Sequence, residues 1–421
     1  MTLVQPTDQP TDQPIAQPIA STLLSARSRA VVEATAGVVA AHADQITARF
    51  YPRMFAEHPD LLGVFNLANQ ATGEQPRALA SSVVAYAVAL IDPAAPSFDH
   101  VIRRIAHKHV SLGIRPEQYT IVGHHLMAAV GEVLGEAVTP EVASAWDEVY
   151  WLFATQCIAL EARLYAAAGV DPAAPTRPYR VVRRIEETAD VLSLVLEPDD
   201  DAPVPVIVPG QYVSVFVDLP DQTRQPRQYT VSSTALGNRL QLTVRRVRGT
   251  GGAPDGVVSS FLHDHVEVGD RLELSAPAGD FVLETSDSPL LLASAGAGIT
   301  TVLPIVEHIA RTQPRRPVIV AHADRTPADH ALRETVLHVG RQLDDFTAYV
   351  WYETPGDDPR ARTGFIDLGD IPLPEHVQVF TCGPLPFMRH VRTSLLERGV
   401  PAAAIRYEVF GPDLWAGQVA A

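Results

Sequence analysis

From Ser21 to about Ala168, apolar residues recur at spacings of three and four with alanine-rich stretches and no sustained alternation. That period belongs to helices that each bury one stripe. Beyond Tyr179 the pattern becomes short β-branched runs, at 179–183, 191–197, 212–217 and 240–245, separated by Gly-Asp, Pro-Gly and Gly-Asn steps. Such runs predict a small antiparallel barrel. From Pro289 onward, strand-like and helix-like segments alternate, first 290–294 and 300–311, then 317–322, later 377–381 and 385–397. This alternation argues for a parallel sheet flanked by helices. Between the first two regions, Ala168 to Pro178 breaks helix repeatedly with prolines and reads as a linker. Residues 6–20 repeat Pro-Thr-Asp-Gln twice, followed by Pro-Ile-Ala-Gln and Pro-Ile-Ala, a composition that favours extended conformers and buries little. The expected organisation is multidomain: a tail at 1–20, an all-α domain at 21–168, a linker at 169–178, an antiparallel β-barrel at 179–286 and an α/β domain at 287–421.

The chain has 421 residues, which at about 150 per domain accommodates three such units. Its 33 basic and 49 acidic side chains leave a net charge of −16, so it lacks the electrostatic footprint of a nucleic-acid or anionic-lipid binder. Cys157 and Cys382 are the two cysteines, allowing at most one bridge and no paired metal motif. This excludes a disulfide-framed scaffold or zinc finger and fits a reducing cytoplasm. The N-terminus has no positive segment followed by an apolar core, hence no signal peptide is expected. The uncharged run 288–306 contains Gly296, Gly298 and Pro304 and reads as strand, tight turn and helix start rather than as a membrane span.

Two polar residues in the helical region sit on apolar faces. Phe98, Ile102, Ile105, His109 and Leu112 follow steps of 4, 3, 4 and 3, so His109 points inward. His107 falls about 200° away, beside Arg103, Arg104 and Ser111, and is expected to be solvated. Tyr150, Phe153, Cys157, Ile158, Glu161, Leu164 and Tyr165 form a second inward stripe, which contains a carboxylate. Ionised carboxylates are rarely buried alone. The pair suits either a metal-ligating imidazole whose other nitrogen meets a carboxylate, or a structural ion pair, and spacing leaves both readings open.

The segments Arg-Phe-Tyr-Pro-Arg-Met-Phe (49–55), Val-Phe-Asn (64–66), Ala-His-Lys-His (106–109) and Arg-Pro-Glu-Gln-Tyr-Thr-Ile-Val-Gly (115–123) strongly resemble the globin domain of flavohaemoglobins, the bacterial nitric oxide dioxygenases. The resemblance runs through all three domains to Tyr-Glu-Val-Phe-Gly-Pro at 407–412. It implies a haem b globin followed by FAD-binding barrel and NAD(P)-binding α/β domains of the ferredoxin-reductase type. In that pattern His109 is the proximal haem ligand, with Tyr119 and Glu161 hydrogen-bonded beside it to raise imidazolate character. Lys108 matches a neighbour that tunes the haem, although a solvated helix lysine is an equal reading. Tyr51 matches the tyrosine that donates to dioxygen at the haem, Gln75 the second distal donor, and Phe65 and Leu79 apolar haem contacts. Proline follows both polar residues: Pro76 suits a first helical turn, whereas Pro52 is expected to kink an interior one.

The resemblance extends to the electron-supplying half. Arg227-Gln228-Tyr229-Thr230 matches the Arg-x-Tyr-Ser/Thr motif in which arginine meets the flavin pyrophosphate, a task suited to a planar guanidinium. Tyr212 is carried over as a further flavin contact, and Gly256-Val257-Val258-Ser259 as a helix start whose free amides hold phosphate. Arg248 to Asp255 looks like a loop insertion. Gly296-Ala297-Gly298-Ile299-Thr300-Thr301 reads as the glycine turn under the nicotinamide dinucleotide, Thr301 standing where the pattern usually has proline. Cys382-Gly383-Pro384 matches the nicotinamide-side motif. His322 and Arg325 fall near the expected adenosine-phosphate site. Glu408 is assigned to redox tuning and Val409-Phe410-Gly411-Pro412 to the segment covering the flavin, where Phe410 is an aromatic gate or an ordinary core residue. The implied circuit runs from NAD(P)H through FAD to haem, where dioxygen converts nitric oxide to nitrate. The partners are these small molecules. A flavin-haem reductase of peroxide, quinone or ferric iron, and an oxygen- or nitric-oxide-binding sensor or carrier, are the alternatives.

Overall fold

The computed structural model describes residues 23–64, 74–200, 202–249 and 254–410. The tail at 1–20, Phe65, Gly411 and Pro412 lie outside the described residues. The first third is helical: α1 Ala26–Ala41, α2 Ala43–Glu57, α3 Glu74–Ile91, α4 Asp99–Leu112, α5 Pro116–Leu134 and α6 Pro140–Ala168. Local sequence sets the ends of the site-bearing helices. Proline stands at the first position of both α5 and α6, Thr139 caps α6 by accepting from the Val142 amide, and Gly113 and Gly169 terminate α4 and α6 with positive φ. Pro52 lies inside α2, which continues past it to Glu57. Pro76 lies in the first turn of α3, where a missing amide is tolerated. The apolar faces of these helices meet in one core that includes Phe50, Tyr51, Met54, Tyr86, Trp146 and Phe153.

The central region is a closed antiparallel barrel of β1 Thr176–Thr188, β2 Val191–Pro198, β3 Tyr212–Asp218, β4 Arg224–Ser233, β5 Leu240–Arg245 and β6 Arg271–Ser275, in the order β1-β2-β5-β4-β3-β6. Helix α7, Val257–His265, lies between β5 and β6 in the chain. Strand β1 begins at Thr176 and so draws the last three residues of the expected linker into the barrel. The final region contains β7 Leu290–Ala295, α8 Ile299–Thr312, β8 Val318–Asp324, α9 Arg333–Gly340, β9 Phe346–Tyr352, β10 Arg362–Thr363, β11 Gln378–Cys382, α10 Leu385–Glu397 and β12 Ile405–Glu408. Its strands form one parallel sheet in the order β10-β9-β8-β7-β11-β12. The run 288–306 is β7, a glycine turn and the start of α8. No helix among the described residues is long and apolar enough to cross a membrane.

Candidate functional site: an imidazole relay joined to a two-domain reductase

Helix α4 places His109 against α5 and α6. The imidazole Nδ1 lies 2.7 Å from the Tyr119 hydroxyl and 2.8 Å from Glu161 Oε1, and the Tyr119 hydroxyl donates to the same carboxylate oxygen. Glu161 and Tyr119 are buried, whereas 29% of the His109 side chain is exposed. Nδ1 thus carries the proton held by the carboxylate, and Nε2 keeps its lone pair for a ligand. Burial and the nearby Cys157 and Glu161 push the Tyr119 phenol far above its usual range, so it remains a donor. Burial also raises the Cys157 thiol to about 12. Tyr150 donates to the Tyr119 carbonyl. It fits there because Gly123 has no side chain: a Cβ at that position would stand 2.5 Å from the Tyr150 ring. This donor set fits a haem iron. Across the helical core, Tyr51 is buried in α2 between Phe50 and Phe55, Leu79 is half-buried in α3, and Gln75 lies in the first turn of α3, its side chain outside the described residues.

A second face of α4 is buried as well. Arg104, His107, Lys108 and Ser111 stand at i, i+3, i+4 and i+7, one helical row. His107, expected to face solvent, and its neighbour Ser111 are 8% and 0% exposed. His107 Nδ1 accepts from the Gly279 amide at 3.0 Å. Lys108 Nζ donates to Gln228 Oε1 at 2.6 Å, which replaces the solvated reading. Burial lowers the lysine to about 8, opposed by the attraction of Glu408. Arg104 lies over the Tyr407 ring at 4.5 Å and reaches its hydroxyl at 3.2 Å. The pattern had been read with one buried face because a single helix gives no sign that another domain covers its polar side.

That face meets the proposed flavin cradle. Tyr212 and Tyr229 lie in the adjacent strands β3 and β4, Tyr212 paired with Thr230 and Val213 with Tyr229. Burial pushes both phenols up and the Arg227 guanidinium down. Gln228 also donates to Ser214. Gly256 caps α7, and Ser259 Oγ donates to the Gly256 carbonyl while accepting from the Val247 amide; the first amides of α7 therefore open beside the barrel, with Val257 exposed and Val258 buried. These groups fit an anionic, partly apolar cofactor. Arg248, in the expected insertion, pairs with Asp190.

The two expected nicotinamide motifs come together at adjacent strand ends, where Ser294 of β7 pairs with Cys382 of β11. A Cβ on Gly298 would stand 2.0 Å from the Cys382 carbonyl oxygen, so only glycine permits this approach. Gly296 has φ 51°. Ala297 and Thr300 flank the turn, Ile299 and Thr301 are buried, and Thr301 Oγ1 donates to the Gly298 carbonyl. Gly383 and Pro384 lead into α10. On β12, Glu408 pairs in register with Cys382. Val409 is half-buried and Phe410 is 51% exposed, so Phe410 is no core residue. His322 is also not where a phosphate could meet it: it is 1% exposed, bonded through Nδ1 to Ser294 and stacked 4.0 Å from His330. Arg325 pairs with Asp329.

An imidazole relay in a globin-like helical domain, coupled to a barrel and a parallel-sheet domain of the ferredoxin-reductase type, defines a haem protein that carries its own nicotinamide-driven flavin reductase. Family models agree by region: Globin over residues 48–157, Oxidoreductase FAD-binding domain over 178–283 and Oxidoreductase NAD-binding domain over 292–393. The flavohemoprotein of Rhizobium meliloti is 41% identical over 407 residues, 94% of this chain and all of that protein. That of Deinococcus radiodurans is 39% identical over 403 residues, 93% of this chain and 98% of that protein. The chain belongs to the flavohemoprotein family. Among solved structures, the flavohemoglobin of Malassezia yamatoensis with bound FAD and heme is 34% identical, covers 92% of this chain and 100% of its own, and superposes with a TM-score of 0.84. The flavohem-like FAD/NAD-binding domain of the nitric oxide dioxygenase of Vibrio cholerae is 34% identical, covers 56% of this chain and 99% of its own, with a TM-score of 0.53. Haem, FAD and NAD(P)H are the cofactors, and electrons pass from nicotinamide through flavin to haem.

Proposed function

We propose that the chain is a nitric oxide dioxygenase that uses NAD(P)H and dioxygen to convert nitric oxide to nitrate. The observation that carries this reading is the joint hold of Tyr119 and Glu161 on His109 Nδ1, in a chain that supplies its own electrons. When bound, the haem supplies dioxygen activation and the flavin splits a hydride into single electrons. His109 Nε2 would hold the iron. Glu161 keeps the Nδ1 proton and makes the ring more electron-donating, as an oxidising site for dioxygen requires and a reversible carrier does not. In the family pattern Tyr51 and Gln75 would act as distal hydrogen-bond donors, and Phe65 and Leu79 as apolar haem contacts. Arg227, Tyr229, Thr230, Tyr212 and the amides at 256–259 would orient the flavin, and the turn at 296–301 with Cys382, Gly383 and Pro384 would orient the nicotinamide. Phe410 would cover the flavin where nicotinamide enters. The named activity of the Vibrio cholerae relative supports the same reading. Two buried, unpaired cysteines and the need for reduced nicotinamide suit a cytoplasmic setting.

The test is nitric oxide removal driven by NAD(P)H, with and without dioxygen. The expected yield is about two nitrates per nicotinamide, because each hydride carries two electrons and each nitrate requires one. His109→Ala should abolish this turnover while leaving reduction of ferricyanide by NAD(P)H intact. Full nitric oxide turnover in that variant, or removal that proceeds equally without dioxygen, would refute the proposal.

A further inference from the structure

At the C-terminal end of α2, three metal-ligating side chains converge. Glu57 closes α2, His58 follows it, and His125 reaches them from α5; one ligand atom from each lies within 4.8 Å of the others. His125 is 1% exposed. Its Nδ1 has no hydrogen-bond partner among the described residues, and its Nε2 stands 4.0 Å from Glu57 Oε2. That gap is too wide for a hydrogen bond. It is about half an ångström wider than the roughly 3.3–3.5 Å between two ligands of a tetrahedral zinc ion about 2 Å from each, so a small side-chain closure would complete the pair. The His58 and His125 rings lie 5.5 Å apart at 73°, which lets both present nitrogen edges to a shared point.

Charge around the cluster permits a cation. Arg53 approaches the other carboxylate oxygen, Glu57 Oε1, at 3.9 Å and is itself paired with Glu132, leaving Oε2 turned to the histidines. His124 packs edge-on against His125 at 5.2 Å. Glu57 is exposed and His58 half-buried, so an ion can enter from solvent.

We infer that Glu57, His58 and His125 form a site for a divalent transition metal of the zinc class, separate from the haem, which clips the C-terminal end of α2 to α5. Two imidazoles and one carboxylate select zinc-like ions over magnesium or calcium, and three protein ligands leave a position for water. The test uses tag-free holoprotein freed of loose metal by chelator dialysis and then equilibrated with Zn²⁺, with zinc and iron counted separately by mass spectrometry. The expectation is about one Zn²⁺ per chain, with two imidazole neighbours at about 2.0 Å in zinc-edge X-ray absorption. Glu57→Gln and His58→Gln, both on the solvent side, should each weaken binding at least about tenfold with the haem spectrum unchanged. Zinc that fails to bind the wild type at micromolar concentration, binds both variants equally well, or shows no imidazole neighbours would overturn the inference.

Discussion

Glu161 is the residue whose chemistry reaches furthest beyond its own contacts. Replacing it with Gln preserves the shape beside His109 and Tyr119 but removes the charge that holds the Nδ1 proton. The expected outcome is retained haem, nitric oxide turnover reduced by about tenfold or more, and a weakened iron–histidine stretch in resonance Raman of the ferrous protein. An unchanged rate and band would mean that the carboxylate serves only packing. His109 and Glu161 were legible in the sequence because each interrupts an apolar stripe, and a polar residue there needs a partner. Tyr119 carried no such mark, since a tyrosine is at home on either side of a helix; it was legible only by resemblance. The burial of His107 is not legible in the sequence, because a polar side chain among polar neighbours looks solvated until the surface covering it is known.

At the scale of elements, long segments with a sustained period were legible to within a few residues, as with α10 and β5. Strand β4 was not readable by alternation, because arginine, glutamine, proline and serine fill much of it. Those same polar side chains are what it brings to its neighbours. Ser233 at its end donates to both oxygens of Glu307 on α8, joining the barrel to the parallel-sheet domain. Burial raises the Glu307 carboxyl above its usual range. A raised carboxyl favours the fold fully below its unfolded value, and that contribution is lost as pH rises through the folded one. Glu307→Gln should therefore melt with the wild type at acidic pH and above it at pH 8. The difference should grow across the carboxylate range in paired thermal scans, and a difference independent of pH would contradict the burial argument.

For the whole molecule, the order of three unlike domains was evident from changes in period, but how they meet was not, since interfaces leave no period of their own. Helix α4 contributes to the joint: Arg104 stacks on Tyr407, His107 accepts from the Gly279 amide and Lys108 donates to Gln228. A stacked guanidinium contributes about 0.5–2 kcal/mol. Arg104→Ala should accordingly slow haem reduction by flavin about two- to thirtyfold, leaving flavin reduction by nicotinamide and the haem spectrum unchanged in stopped-flow traces. Equal slowing of both steps would place the defect elsewhere.

The two committed sides of α4 share one backbone, and their phase cannot be adjusted. Inserting or deleting a single residue between Arg104 and His109 would turn everything beyond it by about 100°, taking the imidazole off its ligand axis as the reductase-facing row loses alignment. The helical haem domain is thus no exchangeable cassette. A foreign globin grafted onto this reductase would have to bring a matching row at the same angular offset, and shuffling between relatives should succeed only where the crossover leaves that rod whole.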